Sequence, residues 1–179
     1  MKTVSLLAVA GCLMSTAVFA QSVGEKTGVN STLGVAPSTA DFVKEAATSD
    51  LTEIAVAKVA LEKGNVDEKK FANQMVTDHT KTSSELKALV TGNGIKAEIP
   101  AALDSSSQKK VDKLKDTKPA DFAGEYDPMQ VGAHKDAVSL FERYAKGGDN
   151  PKLKEWAGKT LPHLQHHLEM AQALDKNRK

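Results

Sequence analysis

Five ionisable side chains lie within helix faces that are otherwise apolar, and their chemistry is that of metal ligands. They are Glu53, His79, His134, His163 and His167. Imidazole nitrogens and carboxylate oxygens are donors to transition-metal ions in proteins. A buried carboxylate without a partner is costly. Each of these residues is therefore expected either to pair with another polar group or to bind a cation.

The last segment of the chain carries three of its five histidines, and two of them share one helix face. His163 and His167 are four residues apart, so they stack on the same side of a helix. The rest of that face is mostly apolar and consists of Leu153, Trp156, Thr160, Leu164, Ala171 and Leu174. His166 points to the flank of this face and is predicted to be a surface residue.

Hydrophobic periodicity and glycine stops predict four long helices that position these residues. The approximate bounds of the helices are 38–63, 66–91, 121–146 and 150–175. Ser38 or Asp41 is expected to cap the first helix. Pro128 either kinks the third helix or starts its main part, with Asp127 as the cap. Pro162 is expected to kink the fourth helix.

A long connection, residues 95–120, joins the second and third helices and includes a predicted short helix at about 104–115. A connection of this length can cross the whole length of a helical bundle, whereas a direct antiparallel turn needs only a few residues. Counted from the helix ends, the ionisable residues lie at similar depths, near the middle of each helix. The predicted fold class is therefore all-α, a four-helix bundle with its ionisable residues at one level.

Two interpretations of these residues remain open. One carboxylate with three or four imidazoles at one level of a bundle favours a transition-metal site. In the other interpretation, Glu53 pairs with His79 or His134 in a buried hydrogen-bond network that fixes the packing of the core. The sequence lacks the paired Glu-x-x-His motifs of a carboxylate-bridged di-iron centre. Asp78 lies at the edge of its helix's apolar face and is interpreted as a solvated residue.

Residues 1–20 have the pattern of a secretory signal peptide. Lys2 precedes an apolar run, and the ending Val-Phe-Ala fits cleavage after Ala20. The mature protein is then expected to be periplasmic or secreted and to lack the chain's single cysteine, Cys12. A lipid anchor on Cys12 at the outer membrane is less favoured, because the apolar run before it is short and continues past it.

Composition and motif content exclude several classes of protein. The net charge is +1, from 24 basic and 23 acidic residues, which argues against a nucleic-acid partner because such proteins usually carry a basic face. No stretch after the signal reaches the length of apolar sequence that a membrane span needs. No phosphate-binding loop, nucleophile elbow or haem-attachment motif occurs, so no catalytic residue is predicted. Residues 21–39 are predicted to be a flexible segment before one folded domain at residues 40–176.

Several short pieces of the sequence resemble the DUF4142 family of exported bacterial proteins. They include Asp41-Phe42, Glu53-Ile54, Asp78-His79, His134 and the run from Leu161-Pro162 to His167-Leu168. The resemblance extends from Phe42 to Leu174 and implies a ferritin-like four-helix domain. Members of the family are often labelled outer-membrane proteins, and the family is defined without a known activity.

The residues and the resemblance together predict an exported, ferritin-like helical protein of unknown activity. We expect it to bind one transition-metal ion, which could be iron, zinc, copper or manganese. The expected ligands are Glu53, His79, His134 and His167, with His163 as an extra or outer ligand. A role in envelope stress or redox protection is the function expected of such a protein. The alternative is a non-enzymatic structural or interaction protein of the periplasm, in which the same residues form only a hydrogen-bond network.

Overall fold

The computed structural model of the protein describes residues 29–178, and the signal peptide predicted at residues 1–20 lies outside this range. The described residues form helices and contain no β-strand, so the predicted all-α class is confirmed for them. The helices are α1 (Val29–Thr32), α2 (Thr39–Lys63), α3 (Val66–Gly92), α4 (Ser105–Asp116), α5 (Phe122–Gly147) and α6 (Pro151–Asn177), with a 3₁₀ turn at Pro119–Asp121 before α5.

Polar side chains at the helix starts explain why the predicted bounds agree with the structure to within two residues. Ser38 rather than Asp41 caps α2, because its hydroxyl oxygen accepts a hydrogen bond from the backbone N–H of Asp41. Asn65 and Glu68 form a reciprocal capping box at the start of α3. The side chains of Asp104 and Asn150 cap α4 and α6 by accepting hydrogen bonds from backbone N–H groups of the first turn.

Both internal prolines lie inside continuous helices. Pro128 is part of α5, which begins upstream at Phe122, so Asp127 does not cap a separate helix. Pro162 lies inside α6. A proline ring would crowd the residue four positions earlier, and that residue is a glycine in both cases.

Two separate apolar clusters form the core, and they define the direction of each long helix. The first cluster includes Phe42, Leu86, Phe141 and Trp156, and the second includes Val56, Met75, Tyr126 and Ala171. Helices α2 and α6 run from the first cluster to the second, whereas α3 and α5 run from the second to the first. Because α3 and α5 run in the same direction, the chain between them must return along the length of the molecule.

The connection between α3 and α5 makes this return. Its first part packs against the first cluster through Ile95 and Ile99. Its helix α4 places Val111 and Leu114 in the second cluster and contacts both α2 and α5. The short helix predicted in this connection is thus present, and the two parts of the connection pack against opposite apolar clusters.

Residues 29–38, the described part of the segment predicted to be flexible, lie against the C-terminal end of α5. The Val35 carbonyl accepts a hydrogen bond of 2.8 Å from Arg143. At the start of α2, the hydroxyls of Thr39 and Tyr144 share a hydrogen bond of 2.6 Å. The flexibility of residues 21–39 stays a prediction. Among the described helices, none combines the length and apolar character that crossing a membrane requires.

Candidate metal centre

A layer of buried polar residues separates the two apolar clusters. We call it the polar layer, and its members are Asp50, Glu53, His79, Gln130, His134 and His167. In α2, for example, Asp50 and Glu53 lie between Ala47 of the first cluster and Val56 of the second. Each long helix contributes to the layer between its two apolar parts. The layer therefore lies near the middle of every long helix, at the depth that counting from the helix ends predicted.

Three of the five predicted site residues meet within this layer. His79 comes from α3, His134 from α5 and His167 from α6, and the three side chains are 2%, 1% and 3% exposed. One ring nitrogen of each lies within 4.8 Å of those of the other two. The ring centroids are 5.9 Å apart for His79 and His134, 5.6 Å for His79 and His167, and 5.5 Å for His134 and His167. Among the described residues, these three form the only group with metal-ligand spacing.

The His79 ring is oriented by a carboxylate from α2. Its Nδ1 lies 2.8 Å from Oδ1 of Asp50, which is itself buried. The second oxygen of Asp50 accepts hydrogen bonds from the hydroxyls of Thr82, at 3.0 Å, and Ser83, at 3.2 Å. Because Asp50 accepts from all these partners, it fixes the ring of His79 with Nδ1 carrying the proton.

The other two rings are also fixed through one nitrogen each. His134 Nδ1 donates to the backbone carbonyl of Gln130, one turn earlier in α5, over 2.9 Å. His167 Nε2 lies 2.9 Å from Oδ2 of Asp78, which comes from α3. The amide of Gln74 donates to the same Asp78 oxygen over 2.6 Å. Each histidine is thus hydrogen-bonded to an oxygen acceptor on one side of its ring.

The opposite nitrogen of each ring has no hydrogen-bond partner. These atoms are His79 Nε2, His134 Nε2 and His167 Nδ1, and all three are buried. In a neutral imidazole whose other nitrogen donates, the remaining nitrogen carries a lone pair. Metal-binding histidines usually donate their second N–H to a carboxylate or a backbone carbonyl in this way. The arrangement can therefore present three lone pairs to one cation.

Two of the three rings have a lowered pKa, which favours the neutral form that binds metal. Burial lowers the pKa of His167 to about 4, against the opposing effect of its hydrogen bond to Asp78. Burial also lowers the pKa of His134, and the charge of Glu53 opposes that change. His79 differs: burial acts to lower its pKa, but the hydrogen bond and charge of Asp50 outweigh it, so the pKa is raised.

Glu53 is buried beside the three histidines but is not part of the group with metal-ligand spacing. Its side chain is 3% exposed, and its Oε2 atom has no hydrogen-bond partner. Its negative charge contributes to the raised pKa of His79 and opposes the lowering of the His134 pKa by burial. It also adds to the effect of burial in raising the pKa of Tyr126 well above the usual value. Glu53 is thus a buried carboxylate whose charge acts on His79 and His134 although it does not belong to the group.

His163 lies outside the buried group. Its side chain is exposed, although it lines a cavity between α3 and α6 that also reaches His79 and His167. His166 is exposed as predicted, with 68% of its side chain accessible. The structure therefore brings three of the five predicted residues together, places Glu53 beside them and leaves His163 at the surface.

Asp50 and Asp78 are the functional residues that the sequence interpretation missed. Asp78 was interpreted as solvated, but its side chain is only 29% exposed and it bonds to His167. Asp50 lies one helical turn before Glu53, and Asp78 immediately precedes His79. A carboxylate next to a buried ionisable residue, or one helical turn from it, is therefore the sequence signal that could have identified them. Metal-binding histidines often donate their second N–H group to a carboxylate.

The fold and the site define an all-helical protein with a buried group of three histidines. The chain belongs to the DUF4142 family, described as a domain of unknown function, whose match covers residues 24–174. The resemblance noted in the sequence is thus confirmed. No curated protein and no solved structure matches the chain.

Proposed function

We propose that the protein binds one transition-metal ion between His79, His134 and His167. The observation that carries the proposal is the set of three buried ring nitrogens that have no hydrogen-bond partner and whose rings meet at metal-ligand spacing. Buried polar atoms are normally hydrogen-bonded, so three orphaned acceptors at one point need an explanation. A cation bound by the three lone pairs supplies it.

The chemistry of the donors narrows the choice of metal. Imidazole nitrogens suit zinc, copper and iron, whereas manganese prefers carboxylate oxygens. Zinc–nitrogen distances are about 2.0–2.1 Å, so the three rings must move slightly closer together to bind the ion. Zinc and copper are therefore the first ions to test, followed by iron and manganese.

The two remaining predicted ligands receive different roles in this proposal. Glu53 offsets part of the ion's positive charge from its place beside the histidines, because opposite charges attract strongly in a buried environment. It is not a ligand within the described group. His163 lies at the opening of the cavity and is not a ligand in the core.

The wider role rests on the sequence and the direction of the helices. Two antiparallel helix pairs joined by one long crossover are the arrangement of ferritin-like bundles, and we include this fold in the proposal. Export to the periplasm or beyond rests on residues 1–20. A role in envelope stress or redox protection would follow from a metal site in an exported protein and stays a prediction.

A second candidate is a structural protein whose histidines only organise the core. It is favoured by the hydrogen bonds from Asp50, the Gln130 carbonyl and Asp78, which already give each ring one partner. A buried water molecule between the rings would then donate hydrogen bonds to two of the remaining nitrogens and accept one from the third, which would have to carry a proton. The two candidates differ in whether a metal ion binds with a fixed stoichiometry.

Metal content after reconstitution separates these two functions. The protein is stripped with chelator, incubated with zinc or copper, desalted and measured by elemental analysis. We expect one ion per chain in wild type and in His166→Ala, the control in which an exposed histidine is removed. His134→Ala and His79→Ala should retain no stoichiometric metal, because two imidazoles bind an ion far more weakly than three.

Folding controls keep this experiment decisive. Circular dichroism of each variant establishes that helix content is retained, and His134→Gln replaces the ring with a polar side chain if the alanine variant does not fold. The proposal is wrong if folded wild-type protein binds none of the four metals. It is also wrong if His166→Ala removes the metal while His134→Gln retains it.

A further inference from the structure

The cavity between α3 and α6 opens to the surface and reaches two of the three buried histidines. Its volume is about 270 Å³, and two of the three rings, His79 and His167, lie in its wall. Its wall also includes Lys81, Lys159, Thr160 and His163. A cavity of this size admits several water molecules or one small solute. The predicted site is therefore buried but connected to solvent.

The protein supplies fewer ligands than a structural zinc site requires. Zinc sites of purely structural character use four protein ligands, whereas sites that keep an exchangeable position use three. Among the described residues, the group with metal-ligand spacing contains only three histidines. Glu53 belongs to α2, and it lines a different cavity, between α2 and α5. The side of the site that faces the α3–α6 cavity thus has no fourth protein ligand.

From this geometry we propose that the bound metal keeps an open coordination position, which a small exogenous ligand reaches through the α3–α6 cavity. The ligand class is water, hydroxide or a small anion of the size of azide. This inference rests on the proposed metal binding. It adds that one coordination position of the metal exchanges its ligand with solvent through the α3–α6 cavity.

The wall of the cavity suits a small polar ligand. Thr160 is 6% exposed, and its hydroxyl donates to no carbonyl of the described residues. Threonines at other helix positions, such as Thr77 and Thr80, donate to the carbonyl four residues earlier. The Thr160 hydroxyl is thus available to a molecule inside the cavity. The ammonium groups of Lys81 and Lys159 are largely exposed, with 72% and 73% of their side chains accessible, and supply positive charge at the opening.

The second cavity provides a matched control for the route. It lies between α2 and α5, has a volume of about 430 Å³ and is lined by Ser139 among other residues. Ser139→Leu adds a bulky side chain to this cavity, as Thr160→Leu does to the α3–α6 cavity. If the exogenous ligand uses the α3–α6 cavity, only Thr160→Leu should hinder it.

Cobalt(II) substitution tests the open position directly. Cobalt(II) is bound in place of zinc, its stoichiometry is measured, and azide is titrated while the visible d–d absorption is recorded. We expect a saturable change in the cobalt spectrum of wild type and of Ser139→Leu. Thr160→Leu should bind the same amount of cobalt but weaken the apparent azide affinity at least about tenfold, equivalent to about 1.4 kcal/mol. Thr160→Ile, which stays β-branched, is the second variant if the leucine variant does not fold.

The outcomes distinguish this inference from the proposal on which it rests. One cobalt per chain with a spectrum that azide leaves unchanged would show that the protein saturates the metal, so the open position is wrong while metal binding stands. An azide affinity lowered by Ser139→Leu but not by Thr160→Leu would overturn the route. A folded wild-type protein that binds no cobalt, zinc or copper would overturn both proposals.

Discussion

The unpaired ring nitrogen is Nε2 in His79 and His134 but Nδ1 in His167. The hydrogen-bond partner of each ring determines which nitrogen is left unpaired. Asp50 and the Gln130 carbonyl take the Nδ1 atoms of His79 and His134, whereas Asp78 takes Nε2 of His167. Each partner thus selects the tautomer as well as the ring orientation. Because both are set in advance, the rings must approach one another to bind an ion but need no change of tautomer.

Another buried carboxylate, that of Asp127 in α5, lies outside this site and has an unusual pKa. Its side chain is 2% exposed, and its Oδ1 atom has no hydrogen-bond partner. Burial, followed by the negative charge of Glu68, raises its pKa from 3.8 to about 6. The folded protein therefore holds the Asp127 proton more tightly than the unfolded chain does. The stabilisation that results is fully present below pH 3.8 and is lost as the pH rises through 6.

Asp127→Asn should remove this loss of stability, because the amide stays neutral at every pH. Relative to wild type, we expect the variant to gain about 1–2 kcal/mol in the free energy of unfolding at pH 8 and to differ little at pH 4. Urea unfolding at the two pH values measures the difference, with Asp136→Asn as a control at an exposed position. Equal gains at both pH values would contradict the assigned titration.

At the scale of elements, the turn between α2 and α3 is short and closely packed. It consists of Gly64 and Asn65, and a Cβ atom at Gly64 would lie 2.6 Å from the Ala60 carbonyl oxygen. Asn65 accepts hydrogen bonds from the backbone N–H groups of Asp67 and Glu68, and Glu68 accepts from the backbone N–H of Asn65. The turn therefore fixes both the end of α2 and the start of α3, the two helices that carry Asp50, His79 and Asp78.

Loss of this cap should lower stability without altering the site. We expect Asn65→Ala to reduce the free energy of unfolding by about 1 kcal/mol, because two backbone N–H groups lose their acceptor. Asn73→Ala, an exposed position in the same helix, should have little effect. Urea unfolding and metal content are measured together. If Asn65→Ala unfolds like wild type, the stabilising role of the cap is wrong. If the folded variant has lost its metal, the cap also supports the site.

At the scale of the whole molecule, the polar layer joins helices that are far apart in sequence. His79 of α3 is hydrogen-bonded to Asp50 of α2. His167 of α6 is hydrogen-bonded to Asp78 of α3. A metal ion bound by the three rings would connect α3, α5 and α6 at mid-length. Because an unfolded chain cannot hold the three rings together, binding free energy becomes folding free energy.

Metal binding should therefore raise the stability of the whole fold. At a free metal concentration about a hundred times the Kd, the gain is about 2.7 kcal/mol for a single site. Thermal unfolding with and without zinc measures it in wild type, in His166→Ala and in His134→Gln. The first two proteins should gain stability and the third should not. An equal gain in all three would place the stabilising ion elsewhere on the protein.

The sequence by itself determined the helices and the face on which each residue lies. Apolar residues recurring at helical spacing give the direction of a side chain relative to its own helix axis, and this direction is a local property. For that reason, the burial of Glu53, His79, His134 and His167 could be predicted from one segment at a time. Caps and glycine stops are also local, which is why the helix ends agree with the structure.

Tertiary structure alone decided which of these residues meet. Contact between side chains on different helices depends on how the helices are rotated and how they cross, and packing of the whole core sets both. That rotation turns Asp50 toward His79 and Asp78 toward His167. It also leaves His163 exposed, although this residue shares a helix face with the buried His167. His163 lies in the wall of the α3–α6 cavity and is exposed, whereas His167, one turn later in α6, is buried in the polar layer.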